Sequence, residues 1–499
     1  MKRILLIILL YNVSYSQIQI GLSLNGSAAT NRFGSKIVIS ENGTYIAVGS
    51  PNDDTNGYNT GKINVYKNVS GTWISYGSAI AGPNQSSSVA GSTTVFSGTF
   101  GGSGMSISED GQTLAVGSTS NSTTGNFSGQ VRIYRYINSD WLQIGASING
   151  VNLGESLGSN VSLSADGNTI IIGSPSYDNA FQNIGVIRVF KFANNAWSLF
   201  GQQLQGFEVD QFFGIRTAIS DDGNIIAVSC PFLTVSGQNL GGVKLYKNIN
   251  GNWSPYGNTI YGDSNGENFS FAIDLAADGN TIAIGASLAK LSTIRPGAVR
   301  VFTISNAVWS QQVNTINGEA PDDYFGEELS LSDDGTVLAV GSLYSDISGI
   351  DSGTVKVYKK TGNNYVYKAR INGLAAGDQY GKCALSDDGT KIIVSSALKD
   401  DVFVDAGQAR VFDLTSVLTT DTFVNSKINS YPNPTKDYVS FTINDSDFEA
   451  KINVYNHLGQ LIKTCNETSK IDISGFSNGV YMFEINAAET KQVIKIIKI

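Results

Sequence analysis

A turn of the form Ser-x-Asp-Gly, with small variations, recurs through most of this 499-residue chain. Its glycines are Gly43, Gly111, Gly167, Gly223, Gly279, Gly335 and Gly389, so successive turns are separated by 68, 56, 56, 56, 56 and 54 residues. A tryptophan recurs in step with the turn, and a tyrosine takes the sixth place: Trp73, Trp141, Trp197, Trp253, Trp309 and Tyr365. A register this regular indicates a repeat architecture with seven units.

Each unit has the pattern of four strands. In the sixth unit, apolar segments at 325–332 and 336–342 flank an Asp-Asp-Gly turn, which is typical of a tight hairpin. Alternating residues at 353–360 predict a third strand, and residues 365–371 predict a fourth. Four-stranded units of this length are typical of propeller blades. The sequence therefore predicts an all-β fold dominated by a seven-bladed β-propeller over residues 17–415.

The two ends of the repeat region predict how the ring closes. The seventh unit has no fourth strand after Leu414, whereas residues 20–26 (IGLSLNG) match residues 144–150 (IGASING) of an earlier unit. We expect the N-terminal strand to pair into the last blade, since closure removes open sheet edges that would template aggregation. A solenoid, the alternative, needs no such split repeat. The predicted strand should bury the apolar side chains of Ile18, Ile20, Leu22 and Leu24.

An aromatic-Gly pair precedes the first strand of several units: Phe33-Gly34, Phe213-Gly214 and Phe325-Gly326, with Leu157-Gly158 and Tyr380-Gly381 as variants. In these residues the repeat resembles the FG-GAP family of propeller repeats found in integrin α-subunit heads. Many members of that family hold calcium in a longer loop between the first two strands. Here that loop is only a tight turn, and a divalent cation needs about six or more oxygen ligands. Residues 52–57 (NDDTNG) faintly resemble a calcium loop, but Ile63 stands where the bidentate glutamate is needed. The sequence therefore predicts no metal and no cofactor.

The N-terminus has the pattern of a secretory signal peptide over residues 1–16. Lys2 and Arg3 form a basic start, residues 4–10 are apolar, and Ser14 and Ser16 precede the predicted cleavage point. The apolar run is much shorter than the roughly 18 residues of a membrane-spanning helix. The sequence therefore predicts export and no transmembrane segment.

The last 70 residues differ from the repeat. They contain, in order, Tyr431, Pro432, Asn433 and Pro434, then Gly459, then Gly479 and Tyr481, and a basic-apolar tail with Lys491, Lys495 and Lys498. In these residues the segment resembles the C-terminal sorting domain of the type IX secretion system. Alternating apolar and polar residues predict a small β-sandwich over 431–499, joined to the propeller by a polar linker at 416–430. The resemblance implies the type IX machinery as a partner. It also implies passage through the periplasm of a Gram-negative bacterium to the outer-membrane surface or the medium.

Charge and residue usage exclude several functions. The net charge is −9 without basic runs, which disfavours nucleic acid as a partner. The single histidine, His457, lies in the sorting segment, so the repeat region has no histidine for a catalytic triad or a metal cluster. We therefore predict a monomeric, non-catalytic binding protein with a glycan or protein ligand. The alternative is a secreted polysaccharide-processing enzyme that uses two loop carboxylates, with Asp53-Asp54, Asp322-Asp323 and Asp400-Asp401 as candidate pairs.

The candidate binding residues lie on the longer loops. Since strands alternate in direction, the loops between strands two and three and between strands four and one share one face of the disc, and variable loops on a rigid scaffold commonly carry binding. This face combines aromatic side chains with carboxylates. The predicted binding residues are Asp210, Phe212, Asp322, Asp323, Tyr324 and Asp378.

Overall fold

The computed structural model describes residues 17–57, 59–82, 104–179, 182–311, 314–400, 403–419, 428–443, 450–466, 470–487 and 490–499. The predicted signal peptide lies outside these residues. The chain divides into two compact units, Met1–Thr419 and Thr420–Ile499, and each is described by itself. Among the described residues, the regular structure is almost entirely strand, with one short helix at Thr415–Thr419.

The described part of the first unit contains seven antiparallel sheets of four or five strands. Sheet 1 comprises Lys36–Ile39, Tyr45–Ser50, Lys62–Val69, Thr72–Ser75 and Ile80–Ala81; sheet 2 comprises Met105–Ile107, Thr113–Ser118, Gln130–Ile137, Asp140–Gln143 and Ile148–Asn149. Sheet 3 comprises Asn160–Leu163, Thr169–Ser174, Val186–Ala193, Ala196–Leu199 and Leu204–Gln205; sheet 4 comprises Thr217–Ile219, Ile225–Cys230, Gly242–Ile249, Asn252–Pro255 and Ile260–Tyr261. Sheet 5 comprises Phe269–Leu275, Thr281–Ala286, Ala298–Ser305, Val308–Gln311 and Ile316–Asn317; sheet 6 comprises Glu328–Leu331, Val337–Ser342, Thr354–Thr361 and Asn364–Asn372. Sheet 7 comprises Lys382–Leu385, Lys391–Ser396 and Gln408–Asp413, together with Ile18–Gln19 and Leu24–Asn25 from the N-terminus; a small hairpin, Thr234–Val235 with Gln238–Asn239, follows the second strand of sheet 4.

The Ser-x-Asp-Gly turn satisfies its own polar groups. In sheet 4, Ser220 donates its hydroxyl to Asp222 at 2.7 Å and accepts the N–H of Ile225 at 2.9 Å. Asp222 also accepts the N–H of Asn224 at 2.9 Å, and Gly223 takes a φ of 70°, which favours glycine. The serine, aspartate and glycine therefore stabilise the turn itself, whereas the side chain at the x position takes no part in these hydrogen bonds.

The seven x residues form a closed ring of backbone hydrogen bonds. Each donates its N–H to the carbonyl oxygen of the x residue in the next sheet at 2.8–3.1 Å, and the last donates to the first. In order these residues are Glu41, Glu109, Ala165, Asp221, Ala277, Asp333 and Asp387. The first strand of each sheet also contacts the first strand of the next, and sheet 7 contacts sheet 1 in the same way. The first unit is therefore a closed ring of seven sheets, here called the ring.

The repeated tryptophans join neighbouring sheets. Trp253 donates its indole N–H to the carbonyl oxygen of Phe200 at 2.8 Å, and Trp309 donates to Tyr256 at 2.7 Å. Trp73 of sheet 1 donates to Ile20 at 2.9 Å, so the N-terminal segment takes the place that the preceding sheet supplies elsewhere. Each indole also packs into a core shared by two sheets, which explains why the tryptophan keeps step with the turn.

The N-terminal strand pairs into sheet 7, as the sequence predicts. Ile18 lies opposite Asp413 and Leu24 lies opposite Ala409, with a bend at Gly21 between the two short strands. The prediction that all four apolar side chains of this segment are buried is correct for only two of them. Ile20 and Leu24 pack against the core, whereas Ile18 is 62% and Leu22 is 88% exposed. One regular strand would place these four side chains on the same face. The segment is instead two short strands with a bend at Gly21 between them, and this interruption breaks the alternation that the sequence predicts.

The predicted linker at 416–430 is shorter in the structure. Helix Thr415–Thr419 buries Val417 and Leu418 in a core shared with sheets 6 and 7. Lys359 of sheet 6 donates a hydrogen bond from Nζ to the carbonyl oxygen of Leu418 at 3.2 Å. The polar residues of the segment obscured this short apolar stripe in the sequence. At the other end, the first strand of the second unit already begins at Ile428.

The second unit contains two described sheets around one core. One sheet is formed by Ile428–Tyr431, Tyr438–Ile443 and Ile471–Asp472; the other is formed by Leu461–Cys465, Ala450–Tyr455, Gly479–Ala487 and Thr490–Lys498. Val439 and Phe441 of the first sheet pack with Ile452, Phe483 and Ile496 of the second, and all five are buried.

Candidate functional site

The longer loops meet at one end of the ring, here called the loop face. Among the described residues, the loop that precedes a sheet is hydrogen-bonded to the long loop of the sheet before it. Thus Asp210 donates its N–H to Gln182 at 2.9 Å, Asp322 donates to Arg295 at 3.1 Å, and Gly377 donates to Ile350 at 2.8 Å. Such repeated backbone bonds hold the loops rigidly, so the loop face is a preformed surface.

Four of the predicted binding residues reach this surface. Asp210 and Asp322 are exposed, while Phe212 and Tyr324 are half-buried. Phe212 and Tyr324 have φ values of 50° and 55°, and Arg32 has a similar φ of 53°. The left-handed backbone before the first strand is therefore part of the repeat, and it does not by itself mark a functional site.

The structure corrects the other two predicted binding residues, because Asp323 and Asp378 are only 8% and 3% exposed. Asp378 accepts the N–H groups of Leu374 and Ala375 at 3.1 and 2.8 Å, and its carboxylate lies 3.5 Å from Lys399. Burial raises the pKa of Asp323. Both side chains fold back beneath the loop to bind groups of the protein, so they hold the loop instead of facing a ligand.

A buried ion pair links several of these loops to the third strand of the sheet that follows. Glu155 contacts Arg188 at 3.0 Å and Glu267 contacts Arg300 at 2.7 Å, each pair being 33 residues apart. The sequence analysis missed this feature. Its signal was present, because a basic residue recurs as the third residue of the third strand in successive repeats: Arg132, Arg188, Lys244, Arg300 and Lys356.

Apolar side chains are exposed on several loops of the loop face. Phe232 lies edge-on between Phe212 and Phe271, with ring centroids 5.6 and 5.5 Å apart, and Tyr324 packs on Tyr344 at 5.0 Å. The exposed apolar residues of these loops are Val151, Leu153, Phe207, Val209, Phe232, Leu291, Ile294, Ile347, Ile350, Leu374, Phe403 and Val404. Exposed apolar surface of this extent is typical of an interaction surface.

A channel runs along the axis of the ring between the first strands. Its main cavity is about 240 Å³ and is lined by charged side chains of both signs, including Lys36, Arg216, Asp274 and Glu328. Glu328 contacts Lys382 at 3.1 Å. Burial opposes ionisation, but the nearby lysines and Arg216 outweigh it and lower the pKa of Glu328 to about 2. Burial raises the pKa of Asp274 to about 6, although this carboxylate accepts the N–H of Leu331 at 2.8 Å.

Carboxylates converge at the end of the channel opposite the loop face, because the x residues of the turns point there. Oxygens of Glu109, Asp333 and Asp387 lie within 4.8 Å of one another beside a cavity of about 80 Å³. Burial and the neighbouring carboxylates raise the pKa of Asp333 to about 7 and that of Asp387 to about 8. Three oxygens are the kind of ligand that a hard cation takes. Among the described residues, these three carboxylates are the group that could hold a metal ion. They could not be recognised from the sequence of a single turn, because they come from three different turns.

This carboxylate cluster predicts that alkaline pH destabilises the ring. The folded pKa values of Asp333 and Asp387 exceed the ordinary value of 3.8, so the folded state binds more protons than the unfolded state. The contribution of these two groups to stability is therefore fully present below about pH 4 and is lost as the pH rises to about 8. The double variant Asp333→Asn/Asp387→Asn should melt several degrees higher than the parent at about pH 8.5 and should show little difference at about pH 4.

Thermal unfolding at the two pH values measures this effect, with Asp322→Asn as the control because Asp322 is exposed and lies outside the cluster. If the double variant raised the melting temperature equally at both pH values, repulsion between the carboxylates would not be the cause of the increase.

The second unit brings distant residues of the predicted sorting motif together. Asn433 donates its side-chain N–H to the carbonyl oxygen of Lys495 at 2.8 Å and accepts the N–H of Ile497 at 2.9 Å. Thr435 donates its N–H to Ile497 at 2.8 Å and accepts the N–H of Ile499 at 2.9 Å. The Pro-Asn-Pro segment and the last strand therefore form one structural feature, although more than 60 residues separate them.

The remaining motif residues have local roles. Gly459 takes a φ of 78° in a turn closed by its hydrogen bond to Asn456 at 3.0 Å, a conformation that favours glycine. Tyr481 is buried and donates its hydroxyl to Ser477 at 2.8 Å. Gly479 and Lys491 lie on the paired strands, opposite Lys498 and Asn486. Tyr431 and Lys495 are exposed, while Lys498 is buried.

Comparison with protein families identifies this unit. Residues 429–499 match the family model of the secretion system C-terminal sorting domain. The predicted type IX sorting domain is thereby confirmed. A domain of this family implies interaction with the secretion machinery and export to the cell surface or the medium. In the described part of the chain, no helix is long and apolar enough to cross a membrane.

Similarity to other known proteins is limited. β-Agarase A of Zobellia galactanivorans (strain DSM 12802) is 34% identical over 68 residues, which is 13% of this chain and 13% of that protein. The chain thus matches only a small part of the length of this relative. Two solved structures, titled "Structure of U3-55K" and "Crystal Structure Of The C-Terminal WD40 Domain Of Sif2", are 12% and 13% identical, with TM-scores of 0.48 and 0.47. Their matches cover 79% and 80% of this chain and 98% of each structure.

Proposed function

We propose that this chain is an exported binding protein whose loop face engages a glycan or protein outside the cell without catalysis. In this proposal the ring is a seven-bladed β-propeller of FG-GAP-like repeats, and the second unit is a small β-sandwich that directs export. The signal peptide and the sorting domain act in succession, the first at the inner and the second at the outer membrane.

The exposed apolar residues of the loop face carry the binding proposal. They are mounted on loops that backbone hydrogen bonds hold in place, so a ligand meets a rigid surface and little conformational entropy is lost on binding. Extensive exposed apolar surface is uncommon on soluble proteins and marks sites where a partner binds, so it favours a binding role for the loop face.

The placement of the loop carboxylates supports a non-catalytic role. A glycosidase needs two carboxyl groups on opposite sides of one bond. Asp323 and Asp378 are instead buried beneath their loops, and Asp210 and Asp322 lie on different loops. The adjacent pair Asp322-Asp323 therefore has one exposed and one buried carboxylate, which does not provide a facing acid and base.

Binding to an array of glycans and polysaccharides tests the proposal. We expect binding by the purified protein and a loss of about tenfold or more in the triple variant Leu153→Ser/Ile350→Ser/Val404→Ser, which removes exposed apolar contacts from three loops. Val308→Ser is the control, because Val308 is equally exposed but lies on an outer strand. Equal binding by the triple variant and the control would contradict a role for the loop face, and release of soluble sugar would contradict a non-catalytic one.

A further inference from the structure

In sheets 3, 5 and 6, the third-strand cation has a carboxylate partner within the loop that precedes its sheet. In sheet 5, Arg300 contacts Glu267 through two hydrogen bonds of 2.7 and 3.0 Å, and its Nε lies 3.0 Å from Asp263. In sheet 6, Lys356 contacts Glu319 at 2.8 Å. Glu319 stands 56 residues after Asp263, so the two partners occupy equivalent positions. In these three sheets the repeat thus provides one or two carboxylates for the cation.

Sheet 4 has the cation but has lost both carboxylates. Its third-strand cation is Lys244, and the positions equivalent to Asp263 and Glu267 hold Phe207 and Gln211, each 56 residues earlier. The loop keeps the same geometry, because Gln211 accepts the N–H of Phe207 at 2.9 Å just as Glu267 accepts that of Asp263 at 2.8 Å. Sheet 4 therefore has an amide where sheet 5 has a carboxylate, and the side chain makes the same hydrogen bond to the loop backbone in both sheets.

The replacement leaves donors without acceptors. Gln211 is completely buried, and its Nε2 has no hydrogen-bond partner among the described residues. Lys244 directs its ammonium group at the ring of Phe207, 4.0 Å from the centroid, and forms no ion pair within 4.0 Å in the described ranges. Glu208 is an acidic neighbour of Lys244, but it accepts the N–H of Thr234 at 3.3 Å and forms no ion pair with the lysine within 4.0 Å. A buried donor without an acceptor is costly, so an incoming anion would be stabilised here.

We propose that Phe207, Gln211 and Lys244 form a subsite for a carboxylate of the ligand, carried by a uronic acid residue of an acidic polysaccharide. The inference rests on the proposed glycan-binding function and names its ligand class. In the loops before sheets 3 and 5, the position equivalent to Gln211 holds a carboxylate. Phe207 is 54% exposed beside the subsite, and its flat apolar ring can pack against a sugar ring. An acidic peptide supplies the carboxylate but no such rigid ring, so a sugar acid fits better.

Binding to polygalacturonate and to its carboxyl-reduced, neutral form tests the subsite. The parent protein should bind the acidic polymer about tenfold or more tightly than the neutral one. Lys244→Gln should remove this preference because it removes the cation. Gln211→Glu should also remove it, since the new carboxylate would neutralise Lys244 as Glu267 neutralises Arg300 in sheet 5. Lys247→Gln is the matched control: Lys247 is an exposed lysine of the same strand, and its ammonium packs on Tyr256, away from the loop face.

The melting temperature provides a second readout that needs no ligand. Gln211→Glu should melt at or above the temperature of the parent, because it restores the ion pair of the neighbouring repeats, and a marked decrease would overturn the inference. Equal binding to both polymers, a preference that survives Gln211→Glu, or binding to polyglutamate but not to polygalacturonate would each overturn it as well. If neither polymer binds, the uronate subsite is wrong, and the proposed function is then judged separately by the serine variants on the wider array.

Discussion

Deletion of residues 17–26 should lower the free energy of unfolding of the ring by several kcal/mol and make the protein associate. The deletion removes the half-buried side chains of Ile20 and Leu24, each contributing about 1–2 kcal/mol. It also removes backbone hydrogen bonds such as those from Ile20 to Val411 and from Gly26 to Gly407, each contributing roughly 1 kcal/mol. The third strand of sheet 7 would then present an open edge, which favours pairing with another chain.

Chemical denaturation and sedimentation measure the two consequences, and the parent protein is expected to be monomeric. Leu22→Ser is the control, because Leu22 lies in the same segment but is 88% exposed. A truncated protein that stays monomeric with unchanged stability would show that the N-terminal strand does not close the ring.

The repeat made the ring predictable. Its period, its turn residues and the match between residues 20–26 and 144–150 each reflect a local requirement, such as the positive φ of Gly223 or the indole hydrogen bond of Trp73 to Ile20. These requirements act within a unit or between adjacent units, so they recur in the sequence wherever the structure recurs. The strand pairing of sheet 7 followed from the same reasoning.

The site was much less predictable, because its features arise only when the ring is assembled. The x residues look like variable turn positions in sequence, yet the ring brings Glu109, Asp333 and Asp387 within 4.8 Å of one another. Asp323 and Asp378 look like exposed loop carboxylates, yet backbone geometry directs them beneath the loop. Whether a polar side chain faces the solvent or a backbone N–H depends on tertiary packing, which the repeat pattern does not encode.

Removal of residues 491–499 should prevent export and retain the protein in the periplasm. The deletion removes most of strand Thr490–Lys498, which pairs along Gly479–Ala487 and supplies the buried Ile496 to the core. It also removes both backbone partners of Asn433. The folded sorting unit that the machinery recognises should therefore be lost, whereas the ring should still fold because its cores contain residues of the first unit alone.

Cell fractionation with immunodetection measures the location, and protease resistance of the periplasmic protein checks that the ring has folded. Asn433→Ala is a milder variant that keeps the strand but breaks its bonds to the Pro-Asn-Pro segment, and it should reduce surface delivery in part. Leu458→Ser, at an exposed turn of the same unit, is the control. Full surface delivery of the truncated chain would contradict the sorting role of this strand.

Transfer of the sorting unit to an unrelated cargo tests the central claim most directly. The fusion places residues 420–499 after a signal peptide and a fluorescent protein, and it leaves out helix Thr415–Thr419 because that helix packs on the ring. Protease accessibility of the cargo on intact cells is then measured in a host with the type IX system and in a host lacking it. We expect the cargo on the cell surface or in the medium of the first host and in the periplasm of the second. Retention of an intact, fluorescent fusion in the periplasm of the first host would contradict the account.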